Sequence, residues 1–401
     1  MKYQNLANLI DRNFQDELAF LASAVNISSG TGDFEGNRKM LDLIMPVLRE
    51  ISSEISCQAD SNGNHLLARI GNHPNRSKLL LCAHMDTVFD RENLSEHLFR
   101  TDGDLAYGLG ISDDKGGITT ILYALKALKE AGTLPAHEIL VMLNCDEETG
   151  SPTGKKIFKQ ICCSGNIAAA LVFEPTRGRL PGGIITHRGG SGYFTIRITG
   201  QEAHSGTSFE KGRNAVVEAA EKAVRLHALN DAEKGIIVNV AAAEGGTYFS
   251  DAPVCMVPGS AVLKCNLRVR DESDLEPLLA RIREISDTVY IPGCSSEFSC
   301  SLPYHAMNLS LNRPLYAAAV KIASALEFEP EEIHTMSGSD ANHINQYGIP
   351  VIDALGPYTY GIHTTDEHTV ISSIRHQTLF AAALIQDLFL RYPQDKKSRT
   401  F

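Results

Sequence analysis

The sequence of 401 residues contains no run of 18 apolar residues, so a helix that spans a membrane is not expected. Its N-terminal segment lacks a basic start, an apolar block and a small-residue cleavage site, and a secretory signal peptide is therefore not predicted. The formal net charge is -11, and no basic block occurs. These absences argue against nucleic acid or an anionic membrane as the main partner.

The nine cysteines do not form the spaced pairs that mark disulfide frameworks or structural zinc sites. Cys162 and Cys163 are adjacent, and no C-x-x-C spacing is present. This usage favours a reducing environment and predicts a cytoplasmic protein. Neither an H-E-x-x-H motif nor a G-x-S-x-G nucleophile elbow occurs, so those two hydrolase mechanisms are not supported.

Hydrophobic patterns divide the chain into a large and a small domain. Short apolar runs that alternate with helical patterns indicate an α/β layer with a largely parallel sheet. Between them, residues 185–302 follow the order β-α-β-β-α-β, which is typical of a ferredoxin-like domain. The sequence therefore predicts that residues 1–184 and 303–401 form one domain into which the smaller domain is inserted.

Five short segments, each after a predicted strand, concentrate acidic residues and histidines, and open α/β sheets place their ligands there. Each segment alone has a bland explanation. His84 and Asp86 fit a solvated turn, Asp113 fits a helix N-cap, and Glu147 and Glu148 fit a solvated acidic loop.

Glu174, after a buried strand, and His363, in a short loop, are no more specific when each is taken alone. The segments acquire meaning as a set, because together they offer two imidazole nitrogens and three carboxylates. That donor set suits two zinc ions that share one bridging carboxylate.

The order of the motifs HMDTV, GLGISDDKGG, DEETG, FEP, EAHSG and GIHTTDE resembles the dinuclear zinc metallopeptidase family of carboxypeptidase G, succinyl-diaminopimelate desuccinylase, acetylornithine deacetylase and aminoacylase-1. The resemblance covers nearly the whole chain and is strongest to the glutamate carboxypeptidase branch. It implies a zinc-peptidase-like catalytic domain with a mixed, mostly parallel sheet and an inserted ferredoxin-like α+β domain that serves as a dimerisation or lid domain.

The resemblance also implies a set of metal ligands. Asp113 would bridge two Zn²⁺ ions, with His84 and Glu174 completing one site and Glu148 and His363 completing the other. Co²⁺ and Mn²⁺ are the expected substitutes for zinc in such sites. The peptide bond between Asp113 and the next residue would be cis.

Further roles follow from the same resemblance. Asp86 would orient the imidazole of His84, and Glu147 would act first as general base and then as general acid. His204 would support the oxyanion in the active site of the partner subunit, which implies a homodimer. Arg268 would bind the substrate carboxylate through its fork-shaped guanidinium.

Gly338 and Ser339 would belong to a turn that lines the substrate pocket. The sequence departs from the family pattern at 247–253, where a connection looks longer, and at Cys255, which takes the place of an asparagine. Because of this departure, the sequence does not identify the substrate.

The sequence thus predicts a hydrolase of small peptidyl- or N-acyl-amino acids with a free carboxylate. Alternatives with the same metal site are a dipeptidase and a deacylase of acetylornithine-like amides or N-carbamoyl amino acids. A catalytically silent binding protein on the same fold would lack a ligand or the base, whereas this chain has the full set.

Overall fold

The computed structural model describes residues 2–71, 77–94, 96–134, 137–164, 166–246 and 255–391. The sequence departure at 247–253 lies outside these ranges.

Helices and strands alternate through most of the described chain. The helices are α1 (Gln4–Val25), α2 (Phe34–Ile51), α3 (Arg91–Leu94), α4 (Lys115–Glu130), α5 (Gly154–Ser164), α6 (Ala215–His227), α7 (Leu275–Asp287), α8 (Leu309–Ser324), α9 (Asp340–Asn345) and α10 (Ile371–Arg391). The strands are β1 (Glu54–Asp60), β2 (Gly63–Ile70), β3 (Lys78–His84), β4 (Arg100–Asp102), β5 (Leu105–Tyr107), β6 (Glu138–Asn144), β7 (Ile167–Val172), β8 (Gly183–Arg188), β9 (Gly190–Thr199), β10 (Ala203–His204), β11 (Ile237–Gly245), β12 (Met256–Val257), β13 (Ser260–Val269), β14 (Ser295–Tyr304), β15 (Glu331–Thr335), β16 (Val351–Ile352), β17 (Thr359–Tyr360) and β18 (His368–Val370).

These elements form two compact units. The first unit comprises Met1–His187, Asn308–Thr335 and Ser339–Phe401, and the second comprises Arg188–Met307 and Met336–Gly338. The second unit thus begins three residues later and ends five residues later than the predicted inserted domain, and it takes in a distant three-residue segment.

A six-stranded sheet in the first unit has the order β1-β2-β6-β3-β7-β16. Strands β6, β3, β7 and β16 run parallel to one another, whereas β2 pairs antiparallel with both β6 and the edge strand β1. Every position of β3, β6 and β7 is buried, which explains why their sequences are nearly continuous apolar runs. The α/β class with a mixed, mostly parallel sheet, predicted above, is confirmed.

The parallel strands matter for function because their carboxyl ends meet at one edge of the sheet. The core that fixes them contains buried side chains from α1, α2, α4, α8 and α10 together with the sheet. Turn chemistry sets the start of individual helices: the carboxylate of Asp33, for example, accepts from the backbone N–H of Gly36 at the beginning of α2.

The second unit contains a four-stranded antiparallel sheet of order β11-β13-β9-β14, with α6 and α7 in the chain order β-α-β-β-α-β. This order is that of a ferredoxin-like domain. A separate apolar core joins the sheet to both helices, and β13 alternates between buried and more exposed positions. No described helix of either unit is long and apolar enough to cross a membrane.

Candidate metal centre

Three of the predicted ligands lie at the carboxyl ends of adjacent parallel strands. His84 is the last residue of β3, and Glu148 lies in a 3-10 turn that follows β6. Glu174 comes two residues after β7. Because β3 pairs in parallel with both β6 and β7, the three side chains reach the same edge of the sheet.

Asp113 lies in the loop that precedes α4, and its peptide bond to Asp114 is cis, as the family resemblance implied. The tight path of this loop depends on Gly110, which has a φ of +68° and whose Cβ, if present, would lie 2.5 Å from the Thr87 side chain. Asp114 occupies the N-cap position of α4 but makes no side-chain capping hydrogen bond. Its Oδ2 instead accepts from the backbone N–H of His84 at 3.1 Å.

His363 reaches the same place from the loop between β17 and β18. Its Nε2 lies 3.0 Å from Oδ2 of Asp113 and 3.3 Å from Oε2 of Glu148. Nε2 of His84 lies 3.0 Å from the other carboxylate oxygen of Asp113 and 3.7 Å from Oε1 of Glu174. All five predicted ligands therefore meet, and Asp113 lies between the two histidines.

The donor atoms are close enough to share cations. Two overlapping groups, in each of which the ligand atoms lie within 4.8 Å of one another, are His84 with Asp114 and Glu174, and His84 with Asp113 and Glu148. Asp114, which was not predicted as a ligand, thus faces the same space as Asp113. Oε1 of Glu148 is buried and has no hydrogen-bond partner within the described part of the chain. A buried carboxylate oxygen of this kind fits a metal site.

The electrostatics also favour bound cations. Burial alone would raise the pKa of Asp113, but hydrogen bonds with His363 and His84 hold it below its usual range. The contacts of His363 with Asp113 and Glu148 raise the pKa of that histidine to about 10. In the metal-free protein, the imidazoles supply positive charge that the clustered carboxylates need.

Glu147, the predicted general base, is adjacent in sequence to Glu148 and only 8% exposed. Burial raises the pKa of Glu147 well above its usual value, and the negative charge of Glu174 raises it further. The third acid of this segment, Asp146, has a structural role, because it accepts from the backbone N–H groups of Thr153 and Gly154 at 2.8 and 3.2 Å.

Asp86 contacts both the histidine and the acidic turn. Nδ1 of His84 is 3.0 Å from the backbone oxygen of Asp86 and 3.4 Å from its carboxylate. The carboxylate oxygens accept from the backbone N–H groups of Glu147 and Glu148 at 3.0 and 3.1 Å. Asp86 therefore positions the turn that carries the predicted base and a predicted ligand, in addition to its contact with the imidazole.

Sequence reasoning missed two buried residues beside the Asp113 loop. Glu367 is 1% exposed and accepts hydrogen bonds from this loop. Lys115 is also 1% exposed, and its Nζ donates to the backbone oxygens of Ile27 at 2.8 Å and Leu109 at 3.3 Å. Both residues fall within motifs quoted above, Lys115 in GLGISDDKGG and Glu367 in GIHTTDE. Their hydrogen-bond partners are mostly backbone groups, so the motifs alone did not indicate a role for either residue.

The remaining predicted residues lie in or beside the second unit. His204, in β10, is exposed, and its Nδ1 accepts from the backbone N–H groups of Gly206 and Thr207 at 3.1 and 3.2 Å. Arg268, in β13, donates to the backbone oxygen of Met336.

The predicted turn at Gly338 and Ser339 is closely packed. A Cβ at Gly338 would lie 2.5 Å from the ring of Tyr304. Ser339 is fully buried, and its hydroxyl caps α9 and donates to Asp353 at 2.7 Å.

Comparisons with known proteins agree on one family. The model of Peptidase family M20/M25/M40 matches residues 80–387. Carboxypeptidase G2 of Pseudomonas sp. (strain RS-16) is 30% identical over 385 residues, which cover 92% of this chain and 88% of that protein. Succinyl-diaminopimelate desuccinylase of Paracidovorax citrulli is 28% identical over 284 residues, or 68% of this chain and 70% of that protein.

A solved structure extends the likeness to the fold. The YXEP protein of Bacillus subtilis, a dinuclear metal binding peptidase from the M20 family, superposes with a TM-score of 0.68 at 13% identity. The superposition covers 95% of this chain and 99% of that chain, so the two proteins share the fold over almost their full lengths.

Proposed function

This chain belongs to the peptidase family M20/M25/M40 and is a hydrolase of that family, and on this basis we propose that it cleaves the amide bond of a small peptidyl- or N-acyl-amino acid with a free C-terminal carboxylate. The observation that carries the proposal is the convergence of His84, Asp113, Glu148, Glu174 and His363 beside Glu147. The similarity to carboxypeptidase G2 supports a glutamate carboxypeptidase-like reaction.

We propose that these five residues hold two divalent metal ions, with Asp113 as the bridge. Zinc is the ion that two imidazoles and three carboxylates suit best, and Co²⁺ or Mn²⁺ are its expected substitutes. When bound, the ions would polarise the scissile carbonyl as Lewis acids. The Bacillus subtilis relative, itself a dinuclear metal binding peptidase, supports the count of two.

In this proposal Glu147 transfers the protons. It takes a proton from the attacking water and then donates it to the leaving amine. Its backbone N–H donates to Asp86, which also accepts from Glu148, so the base and a ligand are fixed by the same carboxylate. This arrangement supports distinct roles for two adjacent glutamates.

Arg268 is proposed to recognise the substrate carboxylate. A guanidinium has five N–H donors, so its contact with Met336 leaves capacity for a bidentate carboxylate. Gly338 and Ser339 belong to the turn that follows Met336, and we propose that its backbone borders the same pocket.

We also propose that the working unit is a homodimer in which His204 serves the active site of the partner subunit. Two backbone N–H groups donate to Nδ1 of His204, so the neutral ring carries its proton on Nε2, ready to support an oxyanion. The side chains of Val216, Val217 and Val224 on α6 are exposed, and we propose that they take part in this association.

Subunit exchange tests the shared site. Mixing inactive Glu147→Gln and His204→Ala proteins should restore roughly a quarter of wild-type activity, since about half of randomly paired dimers contain one site with both groups intact. Activity that stays at the sum of the two parents, with exchange verified by native mass spectrometry, would show that His204 acts within its own chain.

A cytoplasmic location is proposed because all nine cysteines are free, including the exposed Cys57, Cys163, Cys255 and Cys300. Cell fractionation tests this location, and recovery of the protein outside the cytoplasm would contradict it.

A second candidate activity with the same centre is that of a dipeptidase or an N-acyl or N-carbamoyl amino acid deacylase. The similarity to a succinyl-diaminopimelate desuccinylase favours the deacylase form. A hydrolysis screen with added zinc, cobalt or manganese separates these activities. It should compare acyl-glutamates, other N-acyl amino acids and dipeptides, each as the free acid and as the carboxamide.

We expect hydrolysis of free acids and poor hydrolysis of the matched carboxamides. Equal rates on both forms would exclude recognition of the carboxylate. Failure to cleave any amide by a protein that holds two metal ions would contradict the proposed reaction itself.

A further inference from the structure

Glu367 connects the Asp113 loop to the hairpin that carries His363. Its Oε2 accepts from the backbone N–H of Gly110 at 2.7 Å. Its Oε1 accepts from the N–H of Ser112 at 2.9 Å, the hydroxyl of Ser112 at 2.8 Å and the N–H of Asp113 at 3.1 Å. A single buried carboxylate thus orders the backbone up to the candidate bridging ligand.

The main chain of Glu367 extends the same connection. Its backbone oxygen accepts from the N–H of Gly108 at 3.2 Å, and its own N–H donates to Thr364 at 3.2 Å. The next residue, His368, pairs with Tyr107 in the sheet. The loop before α4 and the loop that carries His363 are therefore joined at successive residues.

The positive charge of Lys115 favours an ionised carboxylate at Glu367. Nζ of Lys115 donates to the backbone oxygen of Leu109. The carboxylate of Glu367 thus binds N–H groups of the loop, and the ammonium group of Lys115 binds one of its carbonyl oxygens. Burial lowers the pKa of Lys115 to about 8, and the negative charge of Glu367 opposes this shift. Two buried residues of opposite charge thus hold the loop that carries Asp113.

We propose that Glu367 is a positioning residue that fixes the carboxylate of Asp113 between His84 and His363, and thereby sets the affinity of the centre for both of its metal ions. Residues that orient metal ligands have large effects, and their loss typically weakens metal binding by about 10–100-fold. This inference rests on the proposed metal centre but not on the identity of the substrate.

The substitution Glu367→Gln tests the proposal with little change in shape. With the amide oxygen at the position of Oε1, glutamine keeps the three contacts to Ser112 and Asp113. Its NH₂ group then faces the N–H of Gly110, which needs an acceptor. The variant therefore loses the negative charge and one hydrogen bond and presents a donor to a donor.

Glu218→Gln is the matched control. Glu218 is also a fully buried glutamate, it accepts from the backbone N–H groups of Tyr290 and Ile291, and it belongs to the second unit. It controls for the general cost of neutralising a buried carboxylate that holds backbone groups.

Chelator-treated full-length protein should be titrated with Zn²⁺ in competition with a chromophoric chelator, and the thermal midpoint of each metal-free variant should be recorded. We expect Glu367→Gln to bind zinc at least about tenfold more weakly than wild type. The visible spectrum of its Co²⁺ form should also change, because the ligand geometry changes. Glu218→Gln should lower the thermal midpoint and leave zinc affinity and the Co²⁺ spectrum as in wild type.

Zinc affinity and a Co²⁺ spectrum equal to wild type in Glu367→Gln would overturn the proposal, as would an equal loss of affinity in Glu218→Gln. A wild-type protein that binds no metal would overturn the proposed centre and this inference together. The wild-type titration therefore distinguishes the two failures.

Discussion

Buried carboxylates occur in both units, and their surroundings differ. In the second unit, Glu218 lies 2.8 Å from Nζ of Lys222, and both side chains are fully buried. The carboxylate also accepts from backbone N–H groups, and the ammonium donates to backbone oxygens, including that of Ser286 at 2.9 Å. In the first unit, the carboxylates lie beside histidines: Nε2 of His363 is 3.3 Å from Glu148, and Nε2 of His84 is 3.0 Å from Asp113.

The two sites differ in whether a side chain of the protein always supplies the positive charge that compensates the buried carboxylate. Lys222 is part of a packed helix and satisfies Glu218 with good geometry, so the pair contributes to structure. The metal-centre cluster instead leaves Oε1 of Glu148 and Oδ1 of Asp114 without hydrogen bonds among the described residues. A cluster of buried carboxylates with such oxygens, beside histidines, favours a site where a cationic ligand supplies the compensating charge.

The largest expected effect breaks the permanent pair. Lys222→Met leaves Glu218 as an unpaired buried carboxylate, and we expect a loss of about 3–5 kcal/mol in the free energy of unfolding. Denaturant titration measures this loss. The double variant Lys222→Met, Glu218→Leu should recover part of it, because no buried charge remains. A double variant less stable than the single one would show that packing, and not charge, dominates.

The second effect removes one acid from the metal centre. Glu147→Gln should lower kcat by about 10²-fold or more, which corresponds to about 2.7 kcal/mol, because the proton acceptor is lost. Both metal ions should remain bound, as measured by elemental analysis. Glu148→Ala is the comparison, since it should lose metal affinity. Nearly wild-type kcat in Glu147→Gln would assign the base to another residue.

The smallest effect concerns Glu17, a buried acid that lies outside the candidate metal centre. Among the described residues, no lysine forms an ion pair with it. Burial raises the pKa of Glu17 to about 8, although a hydrogen bond from Thr378 opposes the shift. The folded protein thus holds this proton more tightly than the unfolded chain. The stabilising contribution is complete below about pH 4.5 and is lost as the pH rises to about 8.

Within that window, each pH unit should cost up to about 1.4 kcal/mol of folding stability. Glu17→Gln should therefore flatten the decline in stability with pH, as followed by denaturant titration at several pH values. A slope that is the same in Glu17→Gln and wild type would contradict this account.

The fold class could be predicted from sequence patterns, and so could the grouping of the candidate ligands that follow strands of the parallel sheet. The strands β3, β6 and β7 are buried on both faces, so their apolar runs are distinctive. His84 and Glu174 follow directly at strand ends, where topology alone makes them neighbours.

The features that sequence patterns could not predict depend on hydrogen bonds with backbone groups. The contacts of Glu367 and Lys115 are mainly to N–H and C=O groups of distant segments, which every residue type provides. The inclusion of Met336–Gly338 in the second unit has a similar origin, since Arg188 and Arg268 donate to its carbonyl oxygens. Such contacts produce no residue spacing or composition from which they could be predicted.

The second unit separates Glu174 from His363 along the chain, and this order has a consequence for biosynthesis. A ribosome that adds about 5–20 residues per second needs about 10 to 40 s to travel between these two positions. Throughout that interval the emerging protein exposes four of the five candidate ligands without the last. The complete candidate centre can form only after the inserted unit has been made, so the proposed site that includes His363 would be completed late in the synthesis of the chain.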